Sequence, residues 1–465
     1  MENKYSILNF GAVPNGDGLQ TEAFQKAIDA AFLAGGGEVT VPAGKYIVGS
    51  LRLRSNVIFH LLENAEIYGS RNPLDYFGYK NDTLEPIDKN DITDELYVYP
   101  SRRDQENVWD CSWDFMRKPG SRWNNAILRA HNAENITVTG EKGSLISGSN
   151  CYDAVGEEEY RGPHGITVYG CTNVLLKGYT VRDTGNWAHN IRNSSGITLK
   201  NVTVYAGHDG FHATASSNML IQDCEFYTGD DCIAGTCLLN LTVKRCVMNS
   251  ACSAMRLGGR NIYISGCKCY GPGRYIFRGS LTKEEKEQCV SLSADYDDGI
   301  HRRNMLSFFT YYSDKSYTDE TTPGNIYITD CVVENSDRLL HYNFSGNEPW
   351  QCGASLSDIT LKNITAENLV LPVTAYGDRD NPLRMYMNNV KIKLSEEYKK
   401  DYLIQCAFFK ELYCENVEIE NPQRLKFFSQ SWSGGEPVLH NCNPKFTDDN
   451  ICRNAENEPF ECNAI

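Results

Sequence analysis

No stretch of this chain approaches the roughly 18 uninterrupted apolar residues that a membrane-spanning helix needs, so no span is expected. The opening MENKYSILNF has no basic segment followed by an apolar one, so no secretory leader is expected either. Positive charge is scarce: 45 Lys and Arg against 60 Asp and Glu leave a net charge of -15. Nucleic-acid binders are usually basic, and that class is set aside. An anionic sugar remains an admissible partner if its site carries a local basic patch. Regular helical patterns are few, whereas Gly, Asn, Thr and Tyr are plentiful, a balance that leans towards β-structure. Zinc-type CxxC spacing is missing although the chain has 18 cysteines. Unpaired thiols in that number favour a reducing compartment, and cytoplasmic residence is expected. Hydrophobic residues make up 41%, enough for a substantial core, so wholesale disorder is excluded.

What the chain does have is a repeat. NVLLKGYTV at residue 173 recurs as GITLKNVTV at 196, NMLIQDCEF at 218, NLTVKRCVM at 240 and NIYISGCKC at 261, steps of 23, 22, 22 and 21 residues. NIYITDCVV at 325 and DITLKNITA at 358 continue the pattern after insertions, and NVIFHLLENAEI at 56 and NITVTG at 135 echo it weakly. Apolar residues occupy the second and fourth positions of each unit: Ile197/Leu199, Met219/Ile221, Leu241/Val243, Ile262/Ile264. That period of two is a strand signal. A turn-forming pair follows, then a seventh residue expected to point inward: Val202, Cys224, Cys246, Cys267, Cys331, Ile364. Cysteine there reads as a small buried hydrophobe stacked once per coil.

A unit of this length with two or three short strands implies an all-β, single-stranded, right-handed parallel β-helix, with coils rising by about 4.8 Å. Residues 1–465 are expected to form one such domain. Residues 21–37 have helical spacing at Phe24, Ala27, Ile28 and Ala31 and end in a glycine run, which predicts an N-terminal capping helix. Residues 71–123 and 274–324 break the repeat with polar, aromatic and charged stretches, and are expected to project as loops walling a groove. Trp109, Trp113, Trp123, Phe308, Phe309 and Tyr311 in these insertions suit either sugar stacking or loop anchoring. Residues 425–465 read as a C-terminal cap or tail.

On a solenoid, residues one coil apart lie above one another. His189, Asp209, the pair Asp230–Asp231 and the segment Cys252–Arg256 are spaced by 20 to 23 residues, so one column on the outer face is expected. As a bare GDD, Asp230–Asp231 is an ordinary turn. One coil beyond Asp209 it becomes a cluster of like charges, an arrangement over-represented at functional sites. His189, His208 and His212 fall near the same column and suit sugar contact. His301, Arg302 and Arg303 suit a uronate carboxylate or an ordinary solvated loop.

These segments resemble the polygalacturonase family, glycoside hydrolase family 28, over roughly residues 5 to 370. The opening ILNFGAVPNGDGLQTEAFQKAID is similar to the start of many such chains. The family frames its site with Asn-Thr-Asp, then Asp-Asp, then Gly-His-Gly, each one coil on, followed by Arg-Ile-Lys. Here the matching segments are GHDGFHATASSN (207–218), TGDDCIAG (228–235), NSACSAMRLGG (249–259) and GRYIFRG (273–279). The three aspartates are present. His208 replaces the family's Thr, Gly207 its Asn, and Cys252 or Ser253 its histidine; Arg-Ile-Lys is not intact, leaving Arg256, Arg274 or Arg278 to serve.

The resemblance implies an enzyme without metal or cofactor that hydrolyses a glycosidic bond in a galacturonic-acid-containing, pectin-derived oligosaccharide, from a chain end. Asp230 or Asp231 is implied as the general acid, with Asp231 preferred, and Asp209 with the remaining aspartate holds and activates water. The family inverts configuration, whereas a 4.8 Å coil rise would point to retention by the carboxylate-separation rule; inversion is the expectation carried forward. The altered motifs leave three alternatives: a hydrolase of rhamnose-containing or neutral oligosaccharides, a calcium-dependent lyase using three close carboxylates, and a non-catalytic carbohydrate-binding solenoid.

Overall fold

Strands of four to six residues bury too little to stand alone and are stable only when stacked. In the computed structural model of this chain they stack in parallel. It describes residues 3–76, 122–288, 304–314, 322–398, 400–421, 425–431, 435, 437–445 and 451–454. No helix among them is long and apolar enough to cross a membrane.

The described chain divides into two compact units, Met1–Asp230 with Tyr275–His301, and Asp231–Arg274 with Arg302–Ile465. Each is a parallel β-helix. In the first unit a coil consists of a first strand (Thr172–Lys177), a second (Thr180–Arg182) and a third (His189–Arg192); the next repeats this as Ser195–Lys200, Thr203–Ala206 and Phe211–Thr214. The repeat's apolar pairs come into register, Val174 with Ile197 and Ile197 with Met219. In the second unit Leu241 pairs with Ile262, Ile262 with Ile326 and Ile326 with Ile359. The seventh-position residues are inside, Val202, Cys224, Cys246, Cys331 and Ile364 at 1% exposure and Cys267 at 2%.

The asparagine that opens most of the repeats has a structural reason. Asn135, Asn173, Asn218, Asn240 and Asn261 all have φ between 54° and 58°, the left-handed conformation that asparagine tolerates best after glycine. Their amides form ladders, Asn173 to Asn135 at 2.7 Å and Asn135 to Asn56 at 2.9 Å in the first unit. In the second unit Asn261 donates to Asn240 at 2.9 Å.

The helix α1 (Thr21–Leu33) buries Phe24, Ala27, Ile28 and Ala31, the predicted stripe. It ends at Leu33, and the turn that follows passes through Gly36, whose φ is 129° and where a Cβ would meet the Asn56 carbonyl oxygen at 2.6 Å. The second predicted insertion is partly coil: Met305–Tyr311 is a strand paired with Ser253–Leu257 in the second unit, and Phe308, Phe309 and Tyr311 are fully buried. Those three rings are therefore core rather than loop. Their strand was hidden by an aromatic run whose neighbours point to opposite faces. Within the same unit Lys426–Ser431 pairs with Tyr402–Ala407 and Pro437–His440 with Phe409–Glu420, continuing the ladder.

Candidate active site

The turn between second and third strands carries the polar residues. In the first unit Asp209 lies between Ala206 and Phe211 and is 1% exposed. Its Oδ2 accepts from His212 Nδ1 at 2.6 Å, and Trp187 stacks on that imidazole at 3.7 Å with planes 5° apart. Trp187 is itself wedged edge-on by Trp123 at 5.1 Å, so Trp123 anchors the end of the first insertion. Asp209 thus sits on a fixed imidazole in a desolvated wall, where charge interactions are stronger than in water.

Asp230 is half-buried, and its carbonyl accepts from Thr228 Oγ1 at 2.6 Å. Arg161, which sequence reasoning passed over, lies in its electrostatic reach. Burial works against the guanidinium charge, yet Glu158, Glu157, Tyr160 and Asp230 hold its pKa well above the usual value. Arg161 donates to Glu158 at 3.0 Å and to Asn186 Oδ1 at 3.2 Å. Its signal in sequence was only a lone arginine in a loop without repeat.

The other candidates of the first unit turn inward. His189 is fully buried, with Nε2 on the Tyr179 hydroxyl at 2.9 Å and Nδ1 on the Gly210 carbonyl at 2.9 Å. Burial pushes its pKa down to about 4, so it is neutral and structural where it stands. It does not share an outer column with Asp209. The third strands pair Asn190 with His212, which leaves His189 one position away and pointing to the opposite face. His208 is also fully buried, stacked on Tyr160 at 5.8 Å and edge-on to Phe277 at 6.1 Å. Desolvation first, then Arg161 and Arg278, holds its pKa well below the usual value. Neither histidine is placed to touch a sugar. Arg278 is 1% exposed and spends its donors on main-chain carbonyls: Gly185 at 2.5 Å, Asn150 at 2.9 Å and Cys151 at 3.1 Å. That buried site suits a loop fastener, not a substrate contact.

In the second unit Asp231 is fully buried. Its Oδ1 accepts from the Ser253 amide at 3.1 Å and its Oδ2 from Arg256 Nε in a short ion pair. Arg256 is stacked under Tyr312 at 4.4 Å, with Trp350 at 6.0 Å. Ser253 Oγ lies 3.3 Å from Thr310 Oγ1, which also bonds Ser307. Arg274 is exposed, and its amide donates to Asn249 Oδ1 at 2.6 Å. His301, Arg302, Arg303, Trp109 and Trp113 lie outside the described residues.

The family model described as "Glycosyl hydrolases family 28" matches residues 118–414. A protein named probable polygalacturonase from Vitis vinifera is 24% identical over 416 residues, 85% of this chain and 75% of that protein. An exo-poly-alpha-D-galacturonosidase from Dickeya chrysanthemi is 27% identical over 254 residues, 49% of this chain but 41% of that protein. Among solved structures, a hyperthermoactive exopolygalacturonase from Thermotoga maritima superposes with a TM-score of 0.57 at 15% identity, covering 94% of this chain and 92% of that one. The Streptococcus pneumoniae surface adhesin PfbA does so with a TM-score of 0.55 at 14% identity, covering 97% and 99%. At such identities the likeness establishes the β-helix fold and nothing about activity.

Proposed function

Since the chain belongs to glycosyl hydrolases family 28, and is by that membership a glycoside hydrolase, we propose that it cleaves a galacturonic-acid-containing oligosaccharide from a chain end, with inversion. The Vitis and Dickeya relatives support the sugar class, and the Dickeya protein supports end action. A strap in the first unit fits end action as well. Arg278 fastens residues 278–280 to the carbonyls of Asn150, Cys151 and Gly185, and Lys286 sits over the Tyr160 ring at 3.9 Å. It crosses the turns that precede Asp209 in sequence, where an end-blocked groove needs a wall.

The observation that carries the mechanism is the commitment of both Asp231 oxygens to N–H donors. Two N–H donors converging on one carboxylate suit a group that accepts throughout, and on that ground Asp231 is assigned to the activation of water. The general acid is then Asp230, reversing the preference drawn from sequence. Asp209, fixed by His212, is the further carboxylate that the family resemblance assigns to water. In this scheme Asp230 protonates the departing glycosidic oxygen while water attacks the opposite face of the sugar, giving inversion. Arg256 is a positioning residue rather than a uronate contact.

The test is product analysis on hexagalacturonate with chelator present, for the enzyme and for Asp230→Asn. Monomer or short product released from one end, without unsaturated-uronide absorbance and reduced at least about a thousandfold by the substitution, is the expected result. An even ladder of intermediates would overturn end action. Absence of new reducing ends would overturn the galacturonide assignment, and absorbance requiring calcium would make the protein a lyase. Proton NMR of the first product reports its anomer and so checks inversion.

A further inference from the structure

The first unit carries a further concavity, a cleft of about 270 Å³ whose polar lining, beside the apolar Leu145, includes Arg71, Ser147, Ser149, Arg182 and Asp183. It is built on the second strands. Tyr68 is in register with Ser147, Ser147 with Arg182, and Arg182 with Tyr205. Three successive coils therefore supply a phenol, a hydroxyl and a guanidinium in one column, rising by about 4.8 Å per coil. Tyr205, the next position of that column, lies four residues before Asp209. The cleft is thus one to two coils from an aspartate of the proposed site.

Its charged groups are Arg71, Arg182, Asp183 and, behind Tyr68, Glu66. Arg182 shares its Nε with Asp183 at 2.9 Å. Arg71 is exposed and has no carboxylate partner among the described residues. The Tyr68 hydroxyl donates to Glu66 at 2.9 Å, so Asp183 and Glu66 balance the two arginines, and Arg71 is the guanidinium that the cleft presents without a carboxylate beside it among the described residues. The walls are held from behind: Tyr275 donates a short hydrogen bond to Asp183, and Arg278 fixes the Asn150 carbonyl at 2.9 Å. A concavity whose walls are locked by buried partners loses little entropy on binding, which is what a built subsite requires. This also explains why the buried Arg278 is where it is.

Guanidinium groups grip carboxylates through paired N–H donors. Hydroxyls and an amide beside them match the hydroxyls of a pyranose ring, and the volume is near the lower bound of small-ligand sites, roughly 300 Å³. Resting on the galacturonide reading above, we propose that this cleft is a subsite for a uronate residue of the same oligosaccharide, with its carboxylate on Arg71 and Arg182.

Isothermal titration of the Asp230→Asn protein, which should bind without turnover, tests this with three ligands: hexagalacturonate, its methyl ester and monomeric galacturonate. Adding Arg71→Gln or Arg182→Gln is expected to weaken hexagalacturonate about tenfold, the loss of one charge-assisted contact. Binding of the ester should hardly change, and Arg71→Lys should recover part of the loss. Arg71 is exposed, so its variants are expected to keep the parent melting temperature and remain interpretable. Hexagalacturonate binding equally well to Arg71→Gln, or no better than its ester, would overturn the proposal. Monomer binding as tightly as hexamer would reassign the cleft to free uronate and overturn the chain subsite. The two readings fail separately: charge-dependent binding without wild-type turnover sinks only the hydrolysis, and turnover with charge-blind binding sinks only the subsite.

Discussion

Arg256 donates Nε to Asp231 while Tyr312 lies 4.4 Å from its guanidinium. Exposed ion pairs contribute little, but a pair whose acid is fully buried is costly to break, because the carboxylate is left without its cation. Arg256→Gln is expected to lower kcat by about a hundredfold with KM nearly unchanged, and Arg256→Lys to recover part of the loss. Steady-state kinetics on oligogalacturonide check this. A KM effect with unchanged kcat would make Arg256 a substrate contact instead. At this scale the aspartates were nominated by spacing and family resemblance, whereas Arg256 was expected on substrate and stands on Asp231. The inward turn of His189 and His208 was not legible. Sequence places them beside the aspartates, but which way a third-strand side chain points depends on a one-residue register that only pairing with the next coil decides.

Among the elements, the asparagine ladder is the device that holds successive turns in line. Asn135 has φ of 54°, donates to Asn56 and accepts from Asn173. Asn135→Ala should lose both the ladder bonds and the left-handed preference, destabilising by about 1–3 kcal/mol. Asn135→Gly loses only the bonds and is expected to unfold at a higher denaturant concentration than the alanine variant. Urea unfolding of the two variants side by side checks the order, and equal midpoints would remove the conformational part of the explanation. The opening asparagine was visible in the repeat. Its reason was not, because a left-handed turn and a side-chain ladder are properties of the stacked coil. The capping helix was readable to its buried stripe, since Phe24, Ala27, Ile28 and Ala31 follow a local period of 3.6.

Across the whole molecule, every described cysteine whose state is given is a free thiol, and most are buried. Burial raises the pKa of groups such as Cys414 and Cys269 well above the ordinary thiol value, which lowers their thiolate fraction and hence their reactivity. Treatment with a thiol reagent near neutral pH is therefore expected to spare Cys224, Cys246 and Cys331 in the folded protein. Mass mapping should find them modified only after denaturation. Early labelling of these three would show that the coils open readily. Reductant should leave the melting temperature unchanged if these thiols stay unpaired in solution.

The sequence by itself determined the solenoid, its inward column and the helix at its start. Each of these is written as a short-range period that recurs, and a recurring period needs only neighbours a few residues apart to be read. It also nominated the aspartates as candidates, because coil length converts sequence distance into stacking. Tertiary structure decided the rest. It turned His189 and His208 inward, tied Arg278 to main-chain carbonyls and paired Arg256 with Asp231. It also made a buried strand of the residues around Phe308 and brought Arg71, Ser147 and Arg182 to one cleft. Those outcomes depend on register, on loops without repeat and on partners more than a hundred residues away in places, as Arg278 and Asn150 are. No local period records them.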